Sequence, residues 1–138
     1  MGHPIGAWTV IPSTQGRVDR PLPALAARVG LPGAPVTATL TTDQPTDARA
    51  TANGRFAFDR PESIQDRHVL MVDDTWTTGA RLQSMALSLR SAGAAAVSGF
   101  VLARWLRADW PVTADFIRGT PHRDFNPRLC PVTGELCP

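Results

Sequence analysis

The sequence predicts an α/β domain: an open, mostly parallel sheet flanked by helices, with an irregular C-terminal tail. Three observations lead there. Two short, continuously apolar runs, His68–Val72 (HVLMV) and Val97–Ala103 (VSGFVLA), have the character of strands buried on both faces of a parallel sheet. Between them lies a stretch with helical spacing, which completes a strand–helix–strand unit. A similar order occurs earlier in the chain, where an apolar run precedes a helical pattern and a second apolar run. With 138 residues, one domain is the default reading for positions 1–138, with a core over about 7–104 and a tail over 105–138.

Ala7–Ile11 (AWTVI) reads as the first strand, closed by Pro12-Ser13 and a polar stretch from Thr14 to Arg20. Pro21 suits a first helical position. Leu22, Leu25, Ala26 and Val29 then follow at i, i+3, i+4 and i+7 before Gly30 stops the pattern. Val36–Leu40 alternates like a strand. Thr41–Asn53 is polar and aperiodic, and reads as a long mobile loop of the kind that serves as a lid. Arg55–Phe58 reads as a short returning strand. Leu82, Met85, Ala86 and Leu89 make the stripe of the clearest helix, with Gly93 as its end signal. After Arg104 periodicity fades among Trp105, Trp110 and scattered prolines, and the tryptophans read as packing residues.

Charge and composition exclude several classes. The 14 basic side chains, all arginine, are scattered against 12 acidic ones for a formal charge of +2, so no basic stripe marks nucleic-acid binding. No run of eighteen apolar residues suggests a membrane span, and the first residues lack the pattern of a secretory signal. Cys130 and Cys137 are too few for a disulfide framework, and with His122 they fall short of the usual four-ligand zinc pattern. A cytoplasmic protein with two reduced thiols is the expectation, and a homodimer is left open.

The chemistry is concentrated in HVLMVDDTWTTGARL, His68 to Leu82. A buried strand ends in Asp73 and Asp74, then Thr75, Trp76, Thr77 and Thr78 lead to Gly79 at the mouth of a helix. Ligands of open parallel sheets bind at the carboxyl ends of strands, and a helix N-terminus presents amides and a positive dipole end to an anion. Hydroxyls and a glycine at that point suit a phosphate, and the two carboxylates suit ribose hydroxyls or metal-bound water.

This string resembles the signature of the type I phosphoribosyltransferases: an apolar strand, two acidic residues and a threonine-rich loop closing on Thr-Thr-Gly. The wider chain is similar to the ComF-like, amidophosphoribosyltransferase-like branch. Ile11-Pro12-Ser13 matches its turn after an early strand. Gln44, Arg49, Asn53 and Phe56 match the loop before the signature, and Gly93–Ala96 and Ala103-Arg104 match a helix end and a strand end. The resemblance covers about residues 7–104, more strongly in the second half. It implies a type I phosphoribosyltransferase-like fold, and a pentosyl-class glycosyltransferase of nucleotide metabolism that takes ribose-5-phosphate from phosphoribosyl pyrophosphate (PRPP), with Mg²⁺, to an unidentified small-molecule acceptor. Asp73 and Asp74 would contact the ribose as the catalytic pair, and Thr75, Trp76, Thr77, Thr78 and Gly79 would hold the 5′-phosphate. Ser13, Thr14 and Arg17, where the family places its pyrophosphate loop, and Arg49 would meet pyrophosphate, and no residue is expected to be a dedicated metal ligand. Two alternatives are a non-catalytic PRPP-binding regulator and a ComF-like accessory role in DNA uptake.

The chain also departs from the pattern. Trp76 stands where a small or aliphatic residue is usual, and Arg81 stands where Thr is usual. ComF-like proteins begin with a cysteine-rich zinc module, whereas this chain starts almost at the first strand, as a shortened relative or a fragment would.

Overall fold

The computed structural model describes residues 4–13, 21–41 and 50–119, with positions 126, 128, 129, 135 and 136. The chain divides into two compact units, Met1–Trp105 and Leu106–Pro138.

The first unit holds a four-stranded parallel sheet. Its strands are β1 (Ile5–Val10), β2 (Ala34–Pro35), β5 (His68–Trp76) and β6 (Ala96–Arg104), in the spatial order β2-β1-β5-β6. Helix α1 (Pro21–Val29) carries the chain from β1 to β2, and α2 (Ala80–Ser91) carries it from β5 to β6. The sheet therefore grows outward in both directions from the β1/β5 pair, and crossovers of constant hand put the two helices on opposite faces. A separate antiparallel pair, β3 (Ala38–Leu40) with β4 (Phe56–Phe58), completes the unit.

Alternation along the strands assigns the faces. Ala7, Ile11, Val69 and Met71 pack with Met85 and Leu89 of α2, and Ala38 and Phe56 join them from the β3–β4 pair. Leu82 of α2 closes on Gly99 of β6, where an added Cβ would lie 2.9 Å from its Cδ2. Gly93, in the left-handed region at φ 93°, ends α2 and turns the chain toward β6. On the opposite face α1 buries Leu22 and Ala26. Leu25 and Val29, expected in the same stripe, are exposed.

Several elements differ from the sequence expectations. Of the strand expected over Val36–Leu40 only Ala38–Leu40 forms, pairing with β4, while a separate short strand, Ala34–Pro35, precedes it and pairs with β1. The strand expected at His68–Val72 runs on to Trp76, because β6 offers backbone partners along its whole length. Phe100, Leu102 and Trp105 are more than half exposed, so Trp105 is not a packing residue.

In the second unit, α3 (Pro111–Gly119) forms where the sequence shows little periodicity. Thr113 Oγ1 donates to the Trp110 carbonyl at 3.2 Å, and a single antiparallel bridge joins Leu129 to Leu136. Trp110, also expected to pack, is about half exposed.

Candidate functional site

The carboxyl ends of β1 and β5 lie side by side where the strand order reverses. In open parallel sheets this switch point opens a crevice for ligands. Ile11 N donates to the Val72 carbonyl at 2.9 Å, which aligns the end of β1 with the start of the acidic pair.

The route from β5 into α2 is shorter than a loop running from Thr75 to Gly79. Thr75 pairs with Ala103 and Trp76 with Arg104, and Trp105 N donates to the Trp76 carbonyl at 2.8 Å. Those two residues are therefore committed to the sheet, and Thr77, Thr78 and Gly79 alone make the turn. Thr77 and Thr78 are exposed. Gly79 adopts φ 81°, ψ −2°, and a Cβ there would lie 2.5 Å from Cζ2 of Trp76, so both backbone and space require glycine. The Trp76 ring thus closes one side of the turn.

Gly79 is also the residue that opens α2, and it brings no capping side chain to the helix amides. Ala80 N reaches Thr78 Oγ1 at 3.4 Å, and no acidic residue sits in the first turn. The positive end of the helix is thus not offset by its own sequence, which suits an anion.

Alternation along β5 separates the two carboxylates. Asp73 falls on the α2 face and is 3% exposed. Its Oδ1 accepts from the Asp74 amide at 3.0 Å, and its Oδ2 lies 3.5 Å from Arg81 Nη2. Asp74 falls on the α1 face and is partly exposed. One carboxylate is thus an internal partner of the α2 N-terminus, and the other faces the crevice.

Arg55 is a site residue that sequence reading missed. It is 2% exposed, and its Nη1 approaches the Ala50 carbonyl at 3.5 Å. Burial first, and then the neighbouring charge of Arg81, hold its guanidinium below the ordinary value. Arg55 and Arg81 are near enough for their like charges to act on one another. No local pattern points to Arg55. Its burial comes from the docking of residues 51–53 on α2, where Thr51 Oγ1 donates to Gln83 Oε1, Ala52 N to Ser84 Oγ, and Ser91 Oγ to Asn53 Oδ1. The loop expected to be mobile through Asn53 is therefore tied down at its last residues.

Of the pyrophosphate candidates, Ser13 follows β1 at the same edge and is partly buried. Thr14, Arg17 and Arg49 lie outside the described residues, as do Gln44, His122, Cys130 and Cys137. Among the described residues, no three His, Cys, Asp or Glu side chains are placed to hold a metal, and no helix is long and apolar enough to cross a membrane.

No protein-family model matches the chain, and no curated protein matches it. Among solved structures it is similar to a hypoxanthine phosphoribosyltransferase from Staphylococcus aureus, at 14% identity and a TM-score of 0.43, over 75% of this chain and 63% of that one. The chain thus spans less than two thirds of that structure. The fold is α/β, a mostly parallel sheet flanked by helices.

Proposed function

We propose that the chain binds PRPP at the β1/β5 edge and transfers its ribose-5-phosphate to an acceptor, releasing pyrophosphate. The observation that supports this most is the meeting of an acidic strand end, Asp73-Asp74, with an uncapped, glycine-opened helix N-terminus at the sheet's switch point. The amides at the start of α2 and the hydroxyls of Thr77 and Thr78 hold the 5′-phosphate. Arg81 and the buried Arg55 supply positive charge beneath it. Asp74 accepts hydrogen bonds from the ribose hydroxyls, while Asp73 keeps Arg81 in place.

In the transfer, the bond from C1 to the pyrophosphate oxygen breaks as a bond to the acceptor forms, through an oxocarbenium-like transition state. The protein acts by positioning and electrostatics rather than by a covalent intermediate. Mg²⁺ suits this arrangement, since it is ordinarily held by one or two carboxylates with water and substrate phosphates. Asp74 would meet its water shell, and the ion would offset the charge of pyrophosphate.

A second reading is a PRPP-binding regulator without turnover, favoured by the pairing of Asp73 with Arg81 and by the Trp76 ring against the turn. Membership of the ComF-like branch, with a role in DNA uptake, rests on sequence features alone: Ile11-Pro12-Ser13, the loop with Gln44, Arg49, Asn53 and Phe56, Gly93–Ala96 and Ala103-Arg104. Incubation with PRPP, Mg²⁺ and a panel of nucleobases, following pyrophosphate release, separates the readings. Acceptor-dependent release supports the transferase, and PRPP binding without release with any base supports the regulator.

A further inference from the structure

The two ends of the parallel sheet are finished differently. At one end β2 is two residues long and stops at Pro35, which has no N–H to offer a further strand. At the other end, among the described residues, stands β6, which runs for nine residues from Ala96 to Arg104. Its sequence, AVSGFVLAR, has no proline and no charge before Arg104, and it pairs with β5 without a bulge. Gly99, near its middle, is exposed, so the backbone there lies open. Natural proteins ordinarily shorten, charge or bend such an edge, because a long, flat, apolar one recruits another strand.

We propose that the outer edge of β6 pairs antiparallel with β6 of a second copy of this chain, about a two-fold axis at Phe100, so that two four-stranded sheets become one. The pairing holds whether or not the chain binds PRPP.

The strand's own pattern selects a second copy as the occupant. A two-fold axis perpendicular to the sheet keeps every side chain on its own face, so even-numbered residues meet even-numbered ones and odd meet odd. Phe100 is the midpoint of β6, and centring there pairs all nine residues. Phe100 then faces its own counterpart, and Ser98 faces Leu102 of the partner subunit. These three lie on the face away from α2, since Gly99 between them faces Leu82. All three are exposed, Phe100 at 54% and Leu102 at 55%. Arg104 is the strand's single charge, and the antiparallel arrangement sets its two copies at opposite ends, about 26 Å apart and well beyond a Debye length. On the other face, Ala86 lies one turn on from Leu82 along the same side of α2, so the two α2 helices stand side by side across the axis. The strand is about 30 Å long and, with the helix layer above it, the face is about 15 to 20 Å deep, on the order of 500 Å² per partner, which reaches the roughly 1,000 Å² in total that a specific interface needs. The dimer closes on itself, because the sheet edges left over are the two short, proline-ended copies of β2.

The test is sedimentation velocity of the full chain at high micromolar concentration, with two double variants whose changes fall on exposed side chains. Ser98→Lys with Leu102→Lys places like charges opposite each other twice across the axis, and Ser98→Lys with Leu102→Glu places opposite charges there. The wild-type chain should sediment at twice the mass of one chain. The first variant should dissociate at least tenfold more readily and the second should recover the dimer, both with the wild-type circular dichroism. Hydrogen exchange at the amides of β6 should slow as wild-type concentration rises. A monomeric wild-type chain would overturn the proposal and leave the edge to a strand of another protein. A dimer untouched by the two lysines would place the interface elsewhere, and a second variant as weak as the first would contradict the register.

Discussion

Arg81 Nη2 lies 3.5 Å from Asp73 Oδ2, across the turn from β5 into α2. The Asp73 side chain is 4% exposed and that of Arg81 28% exposed, so the pair links a buried carboxylate to a cation at the helix mouth. Removing Arg81 takes one partner from a buried carboxylate. Arg81→Ala should therefore lower stability by about 1 to 2 kcal/mol, the lower part of the range for charged hydrogen bonds because Arg81 is partly solvated. In urea denaturation, the double variant Asp73→Asn with Arg81→Ala should lose less than the sum of the singles. Additive losses would show that the two groups are not coupled.

Gly79 carries two constraints at once, a left-handed backbone and the Trp76 ring. Gly79→Ala should cost about 1 to 2 kcal/mol from the backbone alone, and more from the ring. Adding Trp76→Ala should restore the steric part and leave the backbone part. Thermal unfolding of the single and double variants measures both, and an unaffected Gly79→Ala would show that the turn is not held as described.

Thr9 is 0% exposed, and among the described residues its Oγ1 meets no hydrogen-bond partner, so a hydroxyl is buried at a cost. Thr9→Val keeps the shape and removes the polar atom. Stability should rise by about 1 kcal/mol in chemical denaturation. A loss instead would mean that the hydroxyl is satisfied.

The backbone amide of Thr37 holds the exposed Asp59 carboxyl below its ordinary value of 3.8. A carboxyl lowered on folding contributes stability that is fully present above the unfolded value and is lost as pH falls through the folded one. The stability difference between the wild-type chain and Asp59→Asn should therefore be constant near neutrality and shrink below about pH 4. A difference that stays constant through the acid range would contradict this.

Much of the sheet is legible in the sequence because its signals are local. The run at His68–Val72, the stripe from Leu82 to Leu89 and the stop at Gly93 each need only their neighbours. What escapes sequence reading depends on distant partners. Asp73–Trp76 look too polar for a strand, yet β6 pairs with them to their end. Of the alternating stretch Val36–Leu40, the last three residues are claimed by β4, some twenty residues away. The turn glycine and the acidic pair were visible, but their division between two faces follows from where β5 ends. Arg55 carries no local signal, since its surroundings are assembled from segments far apart in the chain.

The central claim is a PRPP site built from the acidic end of β5 and the start of α2. Calorimetric titration of the full chain with PRPP and Mg²⁺, alongside the double variant Asp73→Asn with Asp74→Asn, tests it most directly. Hydrogen bonds to charged groups are worth about 1.5 to 3 kcal/mol, so saturable one-to-one binding weakened at least tenfold in the variant is predicted. No saturable binding by the wild-type chain, or unchanged affinity in a folded double variant, would contradict the claim.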